Sequence, residues 1–151
     1  IANGDTMMNW ERLDETVDIA VHMLDNVIDM NNYPIPEIEE MSKKTRRIGL
    51  GVMGHADLLI ELGLRYDSEE ALDFTREVMR RIQERTHQAS TALAESRGSF
   101  PAWDGSIYSK PGLHGPAHAM RNSAPTTIAP TGTISICCIC LCKINVSINS
   151  I

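Results

Sequence analysis

Two long runs of apolar residues at helical spacing restrict how this chain can fold. The first predicts an amphipathic helix from about Trp10 to Met30, with Asp25 among the acids on its other faces. The second predicts a longer helix that begins after Ser68, an N-cap acceptor, and ends at Gly98. The inner faces are formed by Leu13, Val17, Ala20, Val21, Leu24, Val27 and Ile28, and by Ala71, Thr75, Val78, Ile82, Ala89 and Leu93.

The residues between and after these helices contain clear breaks. Pro34 and Pro36 oppose a continuous helix and favour a turn or an extended connection. A further short helix is expected to end near Gly63. Residues 99–121 are rich in Gly, Pro and Ser, and we interpret them as an ordered excursion anchored by Trp103 and Tyr108. The predicted fold class is mainly α with one or two short strands.

Residues 123–135 combine a β-prone stretch with a glycine-containing turn that could open a helix. Such a turn leaves backbone N–H groups free to face an anion, and Thr131, Thr133 and Ser135 add hydroxyl donors. Gly132 would let phosphate oxygens approach the backbone closely. The alternative is that the hydroxyls only cap their own helix, and local chemistry leaves both interpretations open.

Composition excludes several function classes. The formal net charge of −6 argues against a broad nucleic-acid-binding face, because that affinity comes mainly from Lys and Arg. The chain contains no apolar run of the roughly 18 residues that a membrane span requires. The first five residues lack a secretory signal pattern, so a cytoplasmic location is expected.

Three motifs carry a resemblance to a known family. Residues 121–135 read RNSAPTTIAPTGTIS, residues 46–54 read RRIGLGVMG, and residues 98–101 read GSFP. In this order they resemble the large subunit of adenosylcobalamin-dependent (class II) ribonucleotide reductases. The run at 49–54 also fits the dinucleotide pattern Gly-x-Gly-x-x-Gly. A dinucleotide site would need a buried strand before this run, but a basic segment stands there. We therefore expect residues 49–54 to allow close packing at the start of a helix instead.

The resemblance implies a fold, a reaction and a site. Residues 1–136 would be part of the ten-stranded α/β barrel of these reductases, which reduce ribonucleotides by thiyl-radical chemistry. The implied substrate-phosphate site is Thr131, Gly132, Thr133, Ile134 and Ser135. Adenosylcobalamin is the implied cofactor, a thioredoxin-type protein the implied reductant, and a homo-oligomer is expected. The family's radical cysteine and its neighbours cannot be placed in this chain, so the isolated chain is expected to be inactive.

The tail, residues 137–151, departs from the family pattern and contains Cys137, Cys138, Cys140 and Cys142. This crowded spacing lacks the separated Cys-x-x-Cys pairs of a zinc site, and we predict no metal site. A lost reading frame or an intervening element such as an intein would explain the departure.

Two alternatives to the class II assignment stay open on the sequence. One is a reductase large subunit that takes its radical from a metal-containing partner protein (class I). The other is a helical remnant or interaction module without catalysis, which the missing radical residues would also fit.

Overall fold

The computed structural model describes residues 8–112, 115–137 and 145–148. Most of the regular structure is helical, as the sequence predicts, and two short strands accompany the helices. In chain order, the elements are α1 (Trp10–Met30), α2 (Pro36–Thr45), β1 (Leu50–Met53), α3 (His55–Glu61), α4 (Glu69–Arg97), α5 (Gly132–Cys137) and β2 (Asn145–Ile148).

The two long helices begin at side-chain caps. Asn9 Oδ1 accepts from the backbone N–H of Arg12 at 2.9 Å, and Ser68 Oγ accepts from the N–H of Ala71 at 3.2 Å. Each bond satisfies a backbone donor that has no partner within the helix. The predicted bounds of α1 and the predicted start of α4 are confirmed.

Replacing Ser68 by alanine is expected to lower the free energy of unfolding by about 1 kcal/mol, because the Ala71 N–H loses its acceptor. Ser68→Asp keeps an acceptor at the cap and should stay within a few tenths of a kcal/mol of the unaltered chain, roughly the spread among good N-cap residues. Urea unfolding followed by circular dichroism checks both values. Equal losses in the two variants would contradict a capping role.

Helices α1 and α4 pack side by side and run in the same direction. Asp14 accepts from Arg81, and four residues further along each helix Asp18 accepts from Arg85. Beneath these ion pairs lies a core of buried residues, to which α1 contributes Leu13, Val17, Ala20, Val21, Leu24 and Ile28, and α4 contributes Val78 and Ile82. Burial of these apolar faces is the main force that holds the pair together.

Further along the chain from each long helix lies an extended segment, β1 after α1 and α2, and residues 124–127 after α4, and the two segments pair in parallel. Leu50 in β1 donates its N–H to the carbonyl of Pro125 at 3.0 Å and accepts from the N–H of Thr127 at 2.9 Å. Ile48 donates to Ala124 at 3.2 Å. The chain therefore forms two helix-then-strand units with parallel helices and parallel extended segments, the arrangement from which α/β sheets and barrels are built.

The glycine pattern at 49–54 contains β1 itself. A Cβ on Gly51 would lie 2.6 Å from the carbonyl oxygen of Thr127, so this glycine permits the close pairing of β1 with residues 124–127. Gly54 has φ 80° and stands at the N-cap of α3. The expected packing of a helix entrance thus fits Gly54, whereas Gly51 serves the strand contact.

The excursion after α4 has a small core of its own. Phe100, Tyr108 and Met120 are buried, and Trp103 packs against them while donating from Nε1 to the carbonyl of His118 at 3.0 Å. The Tyr108 ring also meets the His87 ring of α4 edge-on, with 6.0 Å between centroids. The sequence-based interpretation of this region as ordered and anchored by Trp103 and Tyr108 agrees with these contacts.

Two features differ from the expectations. Helix α2 occupies residues for which a turn and a basic cluster were expected, with Pro36 at its start. Asp25, expected on an outer face of α1, is completely buried.

Strand β2, within the divergent tail, pairs antiparallel with β1, with Ile148 opposite Leu50. No helix among the described residues is both long enough and apolar enough to span a bilayer.

Candidate functional site

The predicted phosphate site forms a turn that leads into a short helix. Thr131 has φ 50°, in the left-handed region that β-branched residues rarely adopt. Gly132 opens α5, and Thr133 and Ile134 follow with exposed side chains. Ser135 belongs to α5, but its side chain lies outside the described part. The structure thus brings the five predicted residues together in one turn and helix start.

Local chemistry at this turn suits an anion. The first N–H groups of a helix have no partners within the helix, and they point outward along its axis. An added Cβ at Gly132 would have no atom within 4 Å, and Gly132 is not among the positive-φ glycines. The described structure itself therefore does not require a glycine at position 132. Thr131, in contrast, costs about 1 kcal/mol to hold in its left-handed conformation.

The turn is reached through residues 121–127, here called the entry segment. Residues 124–127 pair with β1, as described above. At the other end, Arg121 donates from Nη1 to the carbonyls of Arg97 and Gly98 at 3.1 and 3.0 Å, at the C-terminus of α4. A cation at this position satisfies carbonyls that the helix leaves unpaired. One end of the entry segment is therefore fixed to α4 and the other end to β1.

A buried carboxylate lies beneath the entry segment. Asp25 Oδ1 accepts from Arg46 Nε at 2.9 Å, from Arg46 Nη2 at 2.8 Å and from Asn122 Nδ2 at 3.0 Å. Its Oδ2 accepts from Arg97 Nη1 and Arg121 Nε, each at 3.2 Å. These five residues are called the Asp25 cluster. It joins α1, the α2–β1 connection, the end of α4 and the entry segment through one carboxylate.

The charges of the cluster are partly balanced by a second acid. Arg46 also donates to both carboxylate oxygens of Asp29, at 2.8 and 2.9 Å. The hydrogen bond from Arg46 lowers the pKa of Asp29, with burial opposing the shift. Because the pKa is lowered in the folded state, this pairing stabilises the fold at pH values above the ordinary pKa of an Asp. The contribution is lost as the pH falls from there through the lowered pKa. Arg46 itself adopts a left-handed conformation, with φ 46°, at the C-cap of α2.

The Asp25 cluster was not predicted from the sequence. One signal was available: Asp25 lies four residues after Val21, directly after Leu24, and therefore borders the apolar stripe of α1. A carboxylate at such a position requires buried partners. Those partners come from distant parts of the chain, and nothing local identifies them.

Among the described residues, no group of three or more His, Cys, Asp or Glu side chains could hold a metal ion. His22 Nε2 lies 2.7 Å from Arg97 Nη2, and His55 Nε2 lies 2.8 Å from Thr75 Oγ1. Burial lowers the pKa of His55, which favours its neutral form. Both ring nitrogens are thus within hydrogen-bond distance of protein groups. The thiols from Cys137 to Cys142 lie outside the residues whose side chains are described.

Comparison with known proteins gives the family context of the chain. The family model described as "Ribonucleotide reductase, barrel domain" matches residues 2–149. The match extends beyond residue 136, where the sequence predicts a domain boundary, and that boundary stays a prediction.

Individual relatives agree with the family match. The chain is 49% identical over 133 residues to a vitamin B12-dependent ribonucleoside-diphosphate reductase of Mycobacterium tuberculosis, covering 88% of the chain and 18% of the relative. It is 53% identical over 129 residues to a relative of the same name from Thermoplasma acidophilum, covering 85% and 16%. A ribonucleoside-diphosphate reductase subunit alpha of Chlamydia pneumoniae is 36% identical over 160 residues, covering 85% and 15%. The chain therefore spans less than a fifth of the length of these relatives.

Proposed function

The chain belongs to the ribonucleotide reductase barrel-domain family, and we propose that it acts as part of a ribonucleoside-diphosphate reductase and supplies the substrate-phosphate loop. The observation that carries the proposal is the turn at Thr131 and Gly132, which opens a helix at the end of an anchored entry segment. The proposed ligands of the phosphates are the backbone N–H groups of residues 131–135 and the hydroxyls of Thr131, Thr133 and Ser135.

Two properties of the turn favour a ligand over a purely structural role. Thr131 is held in a strained conformation, and such strain is often found at ligand sites. Gly132 has space for a side chain that the described structure does not use. A phosphate group close to the backbone would explain why that space is left open. The loop would contribute by placement, because abstraction of the ribose C3′ hydrogen requires that this hydrogen face the radical.

The cofactor proposed for the complete enzyme is adenosylcobalamin, following the names of the relatives from Mycobacterium tuberculosis and Thermoplasma acidophilum. When bound, it would supply the initiating radical. His22 and His55, with ring nitrogens already in contact with Arg97 and Thr75, do not fit as ligands. We therefore assign the cofactor to parts of the enzyme outside the described residues.

The remaining features of the complete enzyme extend the same proposal. The two parallel helix-then-strand units would be consecutive parts of a ten-stranded barrel. A thioredoxin-type reductant would return the enzyme to its dithiol state after each turnover. A cytoplasmic homo-oligomer is the proposed setting for this chemistry. Residues outside this chain would provide the radical cysteine.

Two substitutions of Gly132 test the loop in the reductase subunit that carries this chain. Gly132→Ala should leave thermal stability unchanged, because its Cβ meets no protein atom. It should nevertheless weaken binding of a ribonucleoside diphosphate about tenfold, or about 1.4 kcal/mol. Gly132→Asp adds a negative charge beside the phosphates and should weaken binding about a hundredfold. Isothermal titration with the nucleotide measures both effects.

Gly112 provides the matched control. It is exposed, has no atom within 4 Å of an added Cβ, and is not among the positive-φ glycines. Gly112→Asp should therefore bind the nucleotide as the unaltered protein does. Unchanged affinity in Gly132→Asp would contradict the assignment of the phosphate loop. Ribonucleotide reduction that depends on added adenosylcobalamin distinguishes a reductase from a helical interaction module.

A further inference from the structure

Asn122 of the entry segment makes four hydrogen bonds to residues of α1, α4 and the α2–β1 connection. Its side chain is completely buried. Nδ2 donates to Asp25 Oδ1 at 3.0 Å and to the carbonyl of Arg46 at 3.2 Å, while Oδ1 accepts from Ser90 Oγ at 2.9 Å. The backbone N–H of Asn122 also donates to Ser90 Oγ at 3.1 Å. One side chain thus contacts α1, the α2–β1 connection and α4.

These contacts match the chemistry of an amide. A primary amide has two donors and an acceptor on one planar group, and all are used here. A carboxylate of the same shape would place an oxygen where Nδ2 donates to both Asp25 and the Arg46 carbonyl. A buried acceptor that faces another acceptor loses a hydrogen bond and adds repulsion. The position therefore selects for asparagine by hydrogen bonding as well as by size.

The contacts of Asn122 determine where the phosphate turn begins. Asn122 is followed by residues 124–127, whose pairing with β1 gives them a fixed direction. Gly51 allows that pairing to be close, with the Thr127 carbonyl against its backbone. From Thr127 the chain reaches Thr131 in four residues. A shift of Asn122 relative to α1 and α4 would therefore also move the turn.

We propose that Asn122 is a positioning residue for nucleotide binding, and that it sets the location of residues 131–135 through its contacts with Asp25, Arg46 and Ser90. This inference rests on the proposed function of the loop. Asn122 does not touch the nucleotide in this proposal. It acts by holding the entry segment in register with β1, so that the N–H groups of the turn meet the phosphates without rearrangement.

The principal test is Asn122→Asp in the reductase subunit that carries this chain. It preserves shape while reversing the hydrogen-bonding character of one atom. We expect KM for the ribonucleoside diphosphate to rise at least tenfold and kcat/KM to fall about a hundredfold, the scale on which small misplacements of a substrate act. Equilibrium binding of the nucleotide should weaken in parallel.

A milder variant keeps the proposal testable if Asn122→Asp does not fold. Ser90→Ala removes the hydroxyl that contacts both the side chain and the backbone of Asn122, and alanine suits the interior of α4. It should raise KM about threefold, a change of about 0.65 kcal/mol. Val21→Ala serves as the control for general loss of stability, because Val21 is buried in the α1 core and its side chain makes none of these hydrogen bonds. It should lower Tm and leave KM unchanged.

The outcomes separate the two proposals. If Gly132→Asp weakens nucleotide binding as expected while Ser90→Ala and Asn122→Asp leave KM unchanged, Asn122 is only a structural residue and the positioning proposal is wrong. An equal rise in KM for Val21→Ala would also overturn it, because any loss of stability would then have the same effect. If Gly132→Asp has no effect on binding, the failure lies in the proposed function of the loop itself.

Discussion

Replacing Gly51 by valine is expected to lower the free energy of unfolding by about 3 kcal/mol, at the upper end of typical overpacking costs. The first side-chain carbon would lie 2.6 Å from the Thr127 carbonyl oxygen, closer than real Cβ contacts occur. Relief requires movement of one backbone segment away from the other. The bonds between Leu50 and residues 125 and 127 should therefore lengthen or break.

Urea unfolding of the 151-residue chain measures the loss. Hydrogen exchange of the Leu50 and Thr127 amides reports whether the pairing has opened, because both amides are donors in it. Gly112→Val is the control, since that glycine has open space for a side chain. A Gly51→Val chain as stable as the control, with protected amides, would show that the close contact does not limit the side chain at this position.

Asp25→Asn is expected to lower the free energy of unfolding by about 3 to 5 kcal/mol, the usual cost of removing one partner from a buried ionic network. The carboxylate accepts from Arg46, Arg97, Arg121 and Asn122. An amide of the same shape has one acceptor in place of two and brings a donor towards these cations. The positive charges would then lie close together without their shared counterion.

Asp18→Asn is the matched control for Asp25→Asn. Asp18 also pairs with an arginine, Arg85, but its side chain is 39% exposed, whereas that of Asp25 is fully buried. An exposed ion pair contributes about 0 to 1 kcal/mol, because water and salt screen it. Equilibrium unfolding of both variants gives the comparison. Similar small losses in the two would mean that the Asp25 cluster adds nothing to stability beyond a surface ion pair.

Local sequence signals were sufficient for the long helices. The bounds of α1 follow from its apolar spacing, and the start of α4 follows from the Ser68 cap. Both signals come from residues within one or two helical turns of each other. Helix α2 gave a weaker signal, because it is short, none of its residues is buried, and its two large apolar side chains, Ile38 and Met41, are exposed. Strand β1 could not be predicted for a different reason, because its residues lie within a glycine pattern that also fits other structures.

In the candidate site, too, the features set by nearby residues could be predicted and those set by distant residues could not. The turn at residues 130–135 and the helix after it could be predicted, because glycine and hydroxyl residues have local preferences. The burial of Asp25 could not, because it depends on where Arg97, Arg121 and Asn122 arrive after the chain has folded. A carboxylate beside an apolar stripe indicates that buried partners are needed, but it does not identify them.

The spacing of the anchoring contacts has a consequence for the order of folding. Asn122 joins Arg46 and Asp25 across 76 and 97 positions of the chain. Closing such long loops costs chain entropy that nearby contacts do not, so helices α1 and α4 can form before these bonds do. During synthesis on the ribosome, β1 would emerge well before residues 124–127 and would have an open edge until they arrive. A chain that stalls between Gly98 and Asn122 should therefore be the species most prone to aggregate, because its unpaired strand edge can pair with another copy.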